Sequence, residues 1–318
     1  MQHYLFVHFK EKRTPDGEQV YFGVSRDGFH WEAINNGQPV LWAMLNEKGV
    51  RDMAIVRADN GIFYIFATDL SLSYMFREHY KGQWGNIQRY GSNCLMMWES
   101  EDLLHWSKEQ AVPVKKPGTG CCWAPDITRD SQNGGYILHW SSPIPEKNMK
   151  MCIWYTRTRD FEHYDEPRIL YEKEDSGVID SCMVEENGKY YMWVKSDGNP
   201  AAVILLEADN ITGPFTRRYE FDEEMSRLAG GSQSYEAPTA CRLENGGWNL
   251  FLDFYGVRGK GQGYVSFRTD DIASGVFKRA DADFSYPYGF KHGTVLAITE
   301  EEYNRIKAFD YDDESYNR

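Results

Sequence analysis

Several features are scarce in this 318-residue chain, and each scarcity removes a class of function. The six cysteines (Cys94, Cys121, Cys122, Cys152, Cys182 and Cys241) form no CxxC pair. A chain this long is not expected to rest on a disulfide scaffold, so they read as small buried hydrophobes. No stretch approaches the ~18 consecutive apolar residues of a membrane-spanning helix, so no membrane span is expected. The opening residues MQHYLFVHFKEK are too short and too charged for a signal peptide. The compartment stays open: periplasmic or secreted had a leader been removed, cytoplasmic otherwise. HExxH is absent. RGKGQG at 258–263 lacks the GxxxxGK[ST] spacing of a phosphate loop and reads as a surface loop. Positive charge is also short: 35 Lys and Arg face 48 Asp and Glu, a net charge of −13. Nucleic-acid binding neutralises phosphates with cations, so this balance excludes it and suits a neutral substrate. Nothing in the sequence sets the oligomeric state.

Aromatic residues, in contrast, make up 15% of the chain, ample for a core. They cluster behind a recurring signal. Asn60-Gly61, Asn133-Gly134, Asn187-Gly188 and Asn245-Gly246 each precede a strand-like aromatic run such as KYYMWVK. Asn-Gly suits a type I′ hairpin because both turn residues must accept positive φ. Asp16-Gly17 is a candidate fifth. A second marker follows each hairpin: SRDGFHW, SEDLLHW, TRDFEHY, EADNITGPF and RTDDIASGVF. Taking Asp27, Asp102, Asp160, Asp209 and Asp270 as landmarks, the intervals are 75, 58, 49 and 61 residues. A period of this size with several strands per unit predicts an all-β, five-bladed β-propeller occupying 1–318 as one domain. A β-sandwich also uses many short strands, but not a repeating two-part marker. YLFVHF at 4–9 and HGTVLAIT at 292–299 are expected to pair and close one blade. Thr299 and Glu302 have capping-box spacing for a C-terminal helix.

Carboxylates recur ahead of the hairpins. Asp52 precedes Asn60 by eight residues, Asp126 precedes Asn133 by seven, Asp180 precedes Asn187 by seven and Glu236 precedes Asn245 by nine. If the strand entering each hairpin lies nearest the propeller axis, these acids surround one funnel mouth. Trp123 and Tyr235 flank two of them, and aromatic platforms beside acids suit a sugar's C–H faces and hydroxyls. Trp193 is a further aromatic candidate for sugar contact, and Trp84 lies in the first of two long loops, 71–93 and 113–122, expected to wall the site. Crowded carboxylates cannot all ionise, so one pKa should rise. Glycoside hydrolysis needs that division between a protonated acid and an ionised carboxylate.

RDMAIVR (51–57), WAPDI (123–127), VIDSCMVEENGKYYM (178–192), YEAP (235–238) and HGTV (292–295) carry a resemblance that spans nearly the whole chain. In order and spacing they resemble glycoside hydrolase family 43, five-bladed propeller enzymes acting on arabinose- and xylose-containing glycans. The resemblance implies Asp52 as general base, Glu236 as general acid, and Asp180 as the residue that raises the acid's pKa and orients it. It implies inversion, with base and acid roughly 6.5–9.5 Å apart. Asp126 would be a structural or pocket-edge residue. His292 matches an axial histidine that in some members contacts water or a calcium ion. A structural calcium is thus compatible, and no cofactor is required. The partner implied is an oligo- or polysaccharide, first an α-L-arabinofuranoside in plant side chains, with β-xylosidase or exo-galactan activity as alternatives. Two departures stand out: Met53 where the family has Pro after the base, and Ala237-Pro238 where it has Gly-Pro. A non-catalytic sugar-binding propeller is the rival from another class.

Overall fold

A computed structural model describes residues 1–311 except 11, 13, 229, 257–262 and 288. RGKGQG, save Gly263, and the acidic tail beyond Tyr311 lie outside the described residues. The described residues form five four-stranded antiparallel sheets. The closing blade contains β1 (Gln2–His8), β2 (Tyr21–Ser25) and β3 (Trp31–Ala33). Blade one is β4 (Val50–Arg57), β5 (Phe63–Asp69), β6 (Cys94–Ser100) and β7 (Gln110–Pro113). Blade two is β8 (Trp123–Arg129), β9 (Tyr136–Ile144), β10 (Lys150–Thr158) and β11 (Arg168–Tyr171). Blade three is β12 (Val178–Glu186), β13 (Lys189–Asp197), β14 (Ala201–Ala208) and β15 (Thr216–Arg218). Blade four is β16 (Tyr235–Arg242), β17 (Trp248–Phe254), β18 (Gly263–Thr269) and β19 (Lys278–Arg279). β20 (Gly293–Thr299) completes the closing blade by pairing with β1, as expected of the two terminal strands. The strands β4, β8, β12, β16 and β20 contact one another in cyclic order, forming the ring of a five-bladed propeller.

Both repeated signals have fixed places in this plan. Each Asn-Gly joins the first strand of a blade to its second. Only Asn187-Gly188 has positive φ at both residues, 54° and 79°. At the other three only the glycine of the pair is left-handed, and in the blade-two turn Gly135 (78°) is reversed as well. Asp16-Gly17 joins β1 to β2 and is no counterpart of the others: in the closing blade the first strand comes from the far end of the chain, so no hairpin precedes its second. The second marker turns the third strand into the fourth. Asp27 Oδ1 accepts the amides of Phe29 and His30 at 2.8 and 2.9 Å, and His30 Nδ1 lies 2.7 Å from Oδ2. Asp102 with His105 and Asp160 with His163 repeat the arrangement. In blade four the turn acid is Asp271, one residue past the landmark Asp270.

Apolar faces meet between blades. Phe66 and Met97 of blade one pack with Leu138 and Trp140 of blade two. Tyr191, Trp193 and Leu205 of blade three pack with Leu250 and Leu252 of blade four. Each such side chain, taken out of water, stabilises the fold by roughly 1.5–3 kcal/mol. A helix, α1 (Trp84–Tyr90), lies in the long loop of blade one, and α2 (Glu220–Met225) follows β15. The C-terminal helix α3 (Glu300–Ala308) starts with the expected capping box of Thr299 and Glu302.

The closing seam depends on one glycine. A Cβ on Gly293 would lie 1.9 Å from the Val7 carbonyl oxygen, which is backbone and cannot move aside. Gly293→Ala should therefore destabilise the protein by about 3 kcal/mol, read as a lower denaturant midpoint. An unchanged midpoint would show that the seam is looser than this contact.

Candidate active site

The site is built on a backbone irregularity repeated in four blades. Where β4, β8, β12 and β16 begin, the register with the second strand slips. At each slip one residue has positive φ: Asp52 (53°), Ala124 (48°), Asp180 (54°) and Ala237 (52°). These are β-bulges, which re-aim side chains and twist the strand. The next positions are Met53, Pro125, Ser181 and Pro238. Proline suits such a place because it has no amide to leave unpaired.

The bulges correct the hairpin-based alignment of the acids. Asp52 and Asp180 are equivalent bulge residues. Glu236 stands one residue before its bulge and Asp126 two after its own, so the four acids do not share one position. Asp126 is 8% exposed, and its two oxygens accept the Ile127 and Met183 amides, both at 2.9 Å. It ties blade two to blade three, and burial pushes its pKa up to about 7.

Bulge amides that the sheet cannot pair are taken by the preceding blade. The Ala124 amide donates to Thr68 Oγ1 at 2.7 Å. The Asp180 amide donates to Ser141 Oγ at 2.8 Å. The Ala237 amide donates to Asp180 Oδ2 at 3.3 Å. Thr68 Oγ1 in turn donates to Asp52 Oδ2 at 3.0 Å. The same contacts that join the blades thus aim Asp52 and Asp180.

Asp52, Asp180 and Glu236 converge on one buried polar centre with His292. His292 Nδ1 lies 3.3 Å from Asp52 Oδ1, with 11% and 15% of the two side chains exposed. Burial opposes the charge on each. For Asp52 the His292 hydrogen bond and charge outweigh it, with help from Arg51 and Thr68, and the pKa falls below the ordinary value. For His292 the Asp52 bond and charge, with Asp180 and Asp253, push the pKa up to about 9. Burial and then the Asp180 charge raise Glu236 to about 8, ahead of Asp253. Burial also raises Asp180, to about 6, with His292 opposing and Asp52 adding to the rise. Two carboxyls sharing a buried site cannot both ionise freely, and this drives both upward.

The aromatic candidates separate. Trp123 stands at the mouth of β8 with its ring 6.2 Å, edge-on, from Trp84 of α1. The Arg51 guanidinium lies 6.0 Å from the Trp84 ring. The loop 71–93 therefore walls the mouth as expected, and the Cys121 amide, donating to the Gln88 carbonyl, fastens the second loop to it. Trp193 does not line the cavity. It is 0% exposed and packs edge-on to Phe277 between blades three and four. Tyr235, 2% exposed, lies in the same core with its ring 4.9 Å from Phe254. Alternation sends Glu236 to the cavity and Tyr235, its neighbour, to the opposite face. His139 is likewise buried, between Ser181 and Thr128.

Other residues of the centre lie after the hairpins rather than before them. Lys195 is 5% exposed, donates to the Gln233 carbonyl at 2.9 Å, and interacts with Glu236, Asp197 and Asp180. Asp253 pairs with Lys291 at 2.6 Å. Each is a charge in an otherwise apolar strand end, MWVK or NLFLDF, the same signal that marks Asp180. A cavity of about 590 Å³ adjoins Lys291, lined also by Lys10, Tyr264, Phe284, Tyr286 and Phe290.

A calcium ion requires six to eight oxygen ligands. Near His292, Asp126 is committed to amides, Asp52 to Thr68 and the imidazole, and one Asp180 oxygen to Ala237. Among the described residues no group of three His, Cys, Asp or Glu is disposed to hold a metal. The described side chains alone do not supply that set of ligands.

A family model described as "Probable glycosyl hydrolase domain", of the family-43-related type, matches residues 1–304. An α-L-arabinofuranosidase of Bifidobacterium longum subsp. longum is 30% identical over 239 residues, 65% of this chain. The chain spans about a fifth of that relative, 22% of its length. An exo-β-1,3-galactanase from Phanerochaete chrysosporium superposes with a TM-score of 0.61 at 14% identity, covering 89% of this chain and 61% of that one. A xylan β-1,4-xylosidase from Bacillus halodurans gives 0.60 at 16%, covering 94% and 56%. A family-62 α-L-arabinofuranosidase domain from Coprinopsis cinerea gives 0.53 at 13%, covering 76% and 71%. At these identities the structures speak for the fold.

Thr68 is the test of the shared contact. Thr68→Val removes both the acceptor for Ala124 and the donor to Asp52, and should cost about 1–3 kcal/mol of stability. Thr68→Ser should retain most of it, and equal losses in both variants, measured by denaturant unfolding, would assign the effect to packing instead.

Proposed function

Because the chain belongs to the glycosyl hydrolase family related to family 43, we propose that its axial centre cleaves a glycosidic bond with inversion. The observation that carries this is the opposed state of two carboxyls on one axis. The two converge on one buried centre, where the His292 hydrogen bond and charge outweigh burial and pull the Asp52 pKa down, while burial and the Asp180 charge push that of Glu236 up. Such a pair can take a proton on one side of a sugar and give one on the other.

Asp52 takes a proton from water, and the water oxygen bonds to the anomeric carbon from the Asp52 side. The bond from that carbon to the leaving oxygen breaks, and its electron pair goes to that oxygen. Glu236 supplies the proton that neutralises it. One water is consumed, the anomeric configuration inverts, and the proton on Asp52 returns through solvent to Glu236. Asp180 orients the acid by accepting the Ala237 amide beside it. No cofactor enters any step.

For substrate we take a terminal α-L-arabinofuranoside of a plant polysaccharide side chain. The name of the Bifidobacterium relative supports it, as does the Trp84–Trp123 corner at the mouth. β-Xylosidase and exo-galactanase activities are supported by the names of structural relatives of the same fold. A panel of nitrophenyl glycosides separates the three, with arabinofuranoside expected to be turned over fastest. Proton NMR of the first-formed sugar should show the opposite anomer, and retention would refute the water-activating role of Asp52.

Two further outcomes follow from the same centre. Glu236→Gln should lower turnover of a poor leaving group by at least about 100-fold while ligand affinity stays. Unchanged turnover would leave Glu236 without its role. The rate should also depend on pH in a fixed sense. Asp52 works ionised, so activity falls as pH drops through its lowered pKa. Glu236 works protonated, so activity falls as pH rises through about 8. A profile without an alkaline limb would contradict the assignment of the acid.

A further inference from the structure

Glu236 has a neighbour that the mechanism above does not use. In the β16–β17 ladder Glu236 lies directly opposite Asp253. Residues so placed project from the same face, with Cβ atoms roughly 4.5–5.5 Å apart. Asp253 is 1% exposed, and its Oδ2 meets Lys291 Nζ at 2.6 Å. Lys291 is 5% exposed and stands just before β20, next to His292. The ion pair therefore joins blade four to the closing blade at the acid's elbow. A buried ion pair is weak evidence for stability, since desolvation offsets much of the attraction. Its placement beside a proton donor suggests another use.

We propose that Asp253 is a positioning residue for proton transfer: clamped by Lys291 across the strand pair from Glu236, its carboxylate keeps the donor's proton in place until the leaving oxygen takes it. The inference rests on the glycosidase reading of the site. The groups facing Glu236 are Asp180 from β12, Lys195 from β13, Asp253 from β17, Tyr255 after it, and Lys291 and His292 ahead of β20. The three cations favour an ionised Glu236; the two carboxylates oppose them. Asp180 is occupied by the Ala237 amide and by the charge of His292. Asp253 supplies the second negative charge, and its influence on Glu236 exceeds that of Lys291. Lys291, 2.6 Å away, fixes where that charge sits.

The test is the protonation of Glu236 itself, followed by carbon-13 NMR of its labelled side-chain carboxyl in the full chain. Asp253→Asn should lower the midpoint by about one pH unit, and the alkaline limb of kcat/KM should move down with it. The double variant Asp253→Asn with Lys291→Met leaves no unpaired buried charge, so it guards against misfolding. It should also titrate lower than wild type. Lys291→Arg, which keeps the pair, should titrate as wild type. A midpoint unmoved in both Asp253 variants overturns the proposal and leaves the pair a structural tie. The two readings fail separately. If the wild type cleaves no glycoside, the hydrolase assignment falls, while the NMR midpoint still decides whether Asp253 governs the Glu236 proton.

Discussion

A strand that bulges leaves a backbone amide without a ladder partner, and that unpaired amide governs this molecule. Buried amides must be satisfied, and here the sheet cannot do it. Thr68, Ser141 and Asp180 do so from the neighbouring blade. The constraint therefore sits at blade boundaries, on the inner ring, at one end of the axis. Anything that satisfies it there is also a polar side chain aimed at the axis. A fold that needs such groups for its own closure has the framework of a polar site already in place.

The chemistry grows from this framework in stages. The left-handed bulge turns Asp52 and Asp180 inward. Thr68 fixes one Asp52 oxygen, and His292 takes the other. His292 stands just ahead of β20, the strand that also closes the ring. Ring closure and the charge state of Asp52 are therefore coupled through one short segment. On the other side, burial and the Asp180 charge push the Glu236 pKa up. In the mechanism we propose, the two carboxyls take different roles because their neighbours differ. That is the general way one fold runs acid and base chemistry at a single pH.

The propeller was legible because its signals are local and repeated. Asn-Gly turns recur in four blades and Asp-x-x-His turns in three, and both mark strand junctions directly. The capping box at Thr299 is equally local. The three acids were legible because charge ahead of an apolar strand is anomalous. What was not legible is the exact register. Counting back from Asn-Gly treats loops of unequal length as equal, so Asp126 and Glu236 were aligned with bulge residues that are in fact Ala124 and Ala237. Facing was missed for the same reason. Trp193 and Tyr235 are aromatic and close in sequence to acids, but strand alternation puts them in the interblade core. Thr68, Lys195, Asp253 and Lys291 join the centre only through pairing between strands and blades, which no single segment encodes. Two of them carry charge in apolar strands, a signal that could have been read.

The central claim is that the bulges bring a base and an acid to opposite sides of one sugar. The most direct measurement is a crystal structure of the Glu236→Gln protein with an oligosaccharide bound. The account predicts a sugar ring on the axis between residues 52 and 236, with their carboxyl and amide carbons roughly 6.5–9.5 Å apart and room for a water on the Asp52 side. A sugar bound elsewhere, or the two groups about 5 Å apart with no space for water, would contradict it.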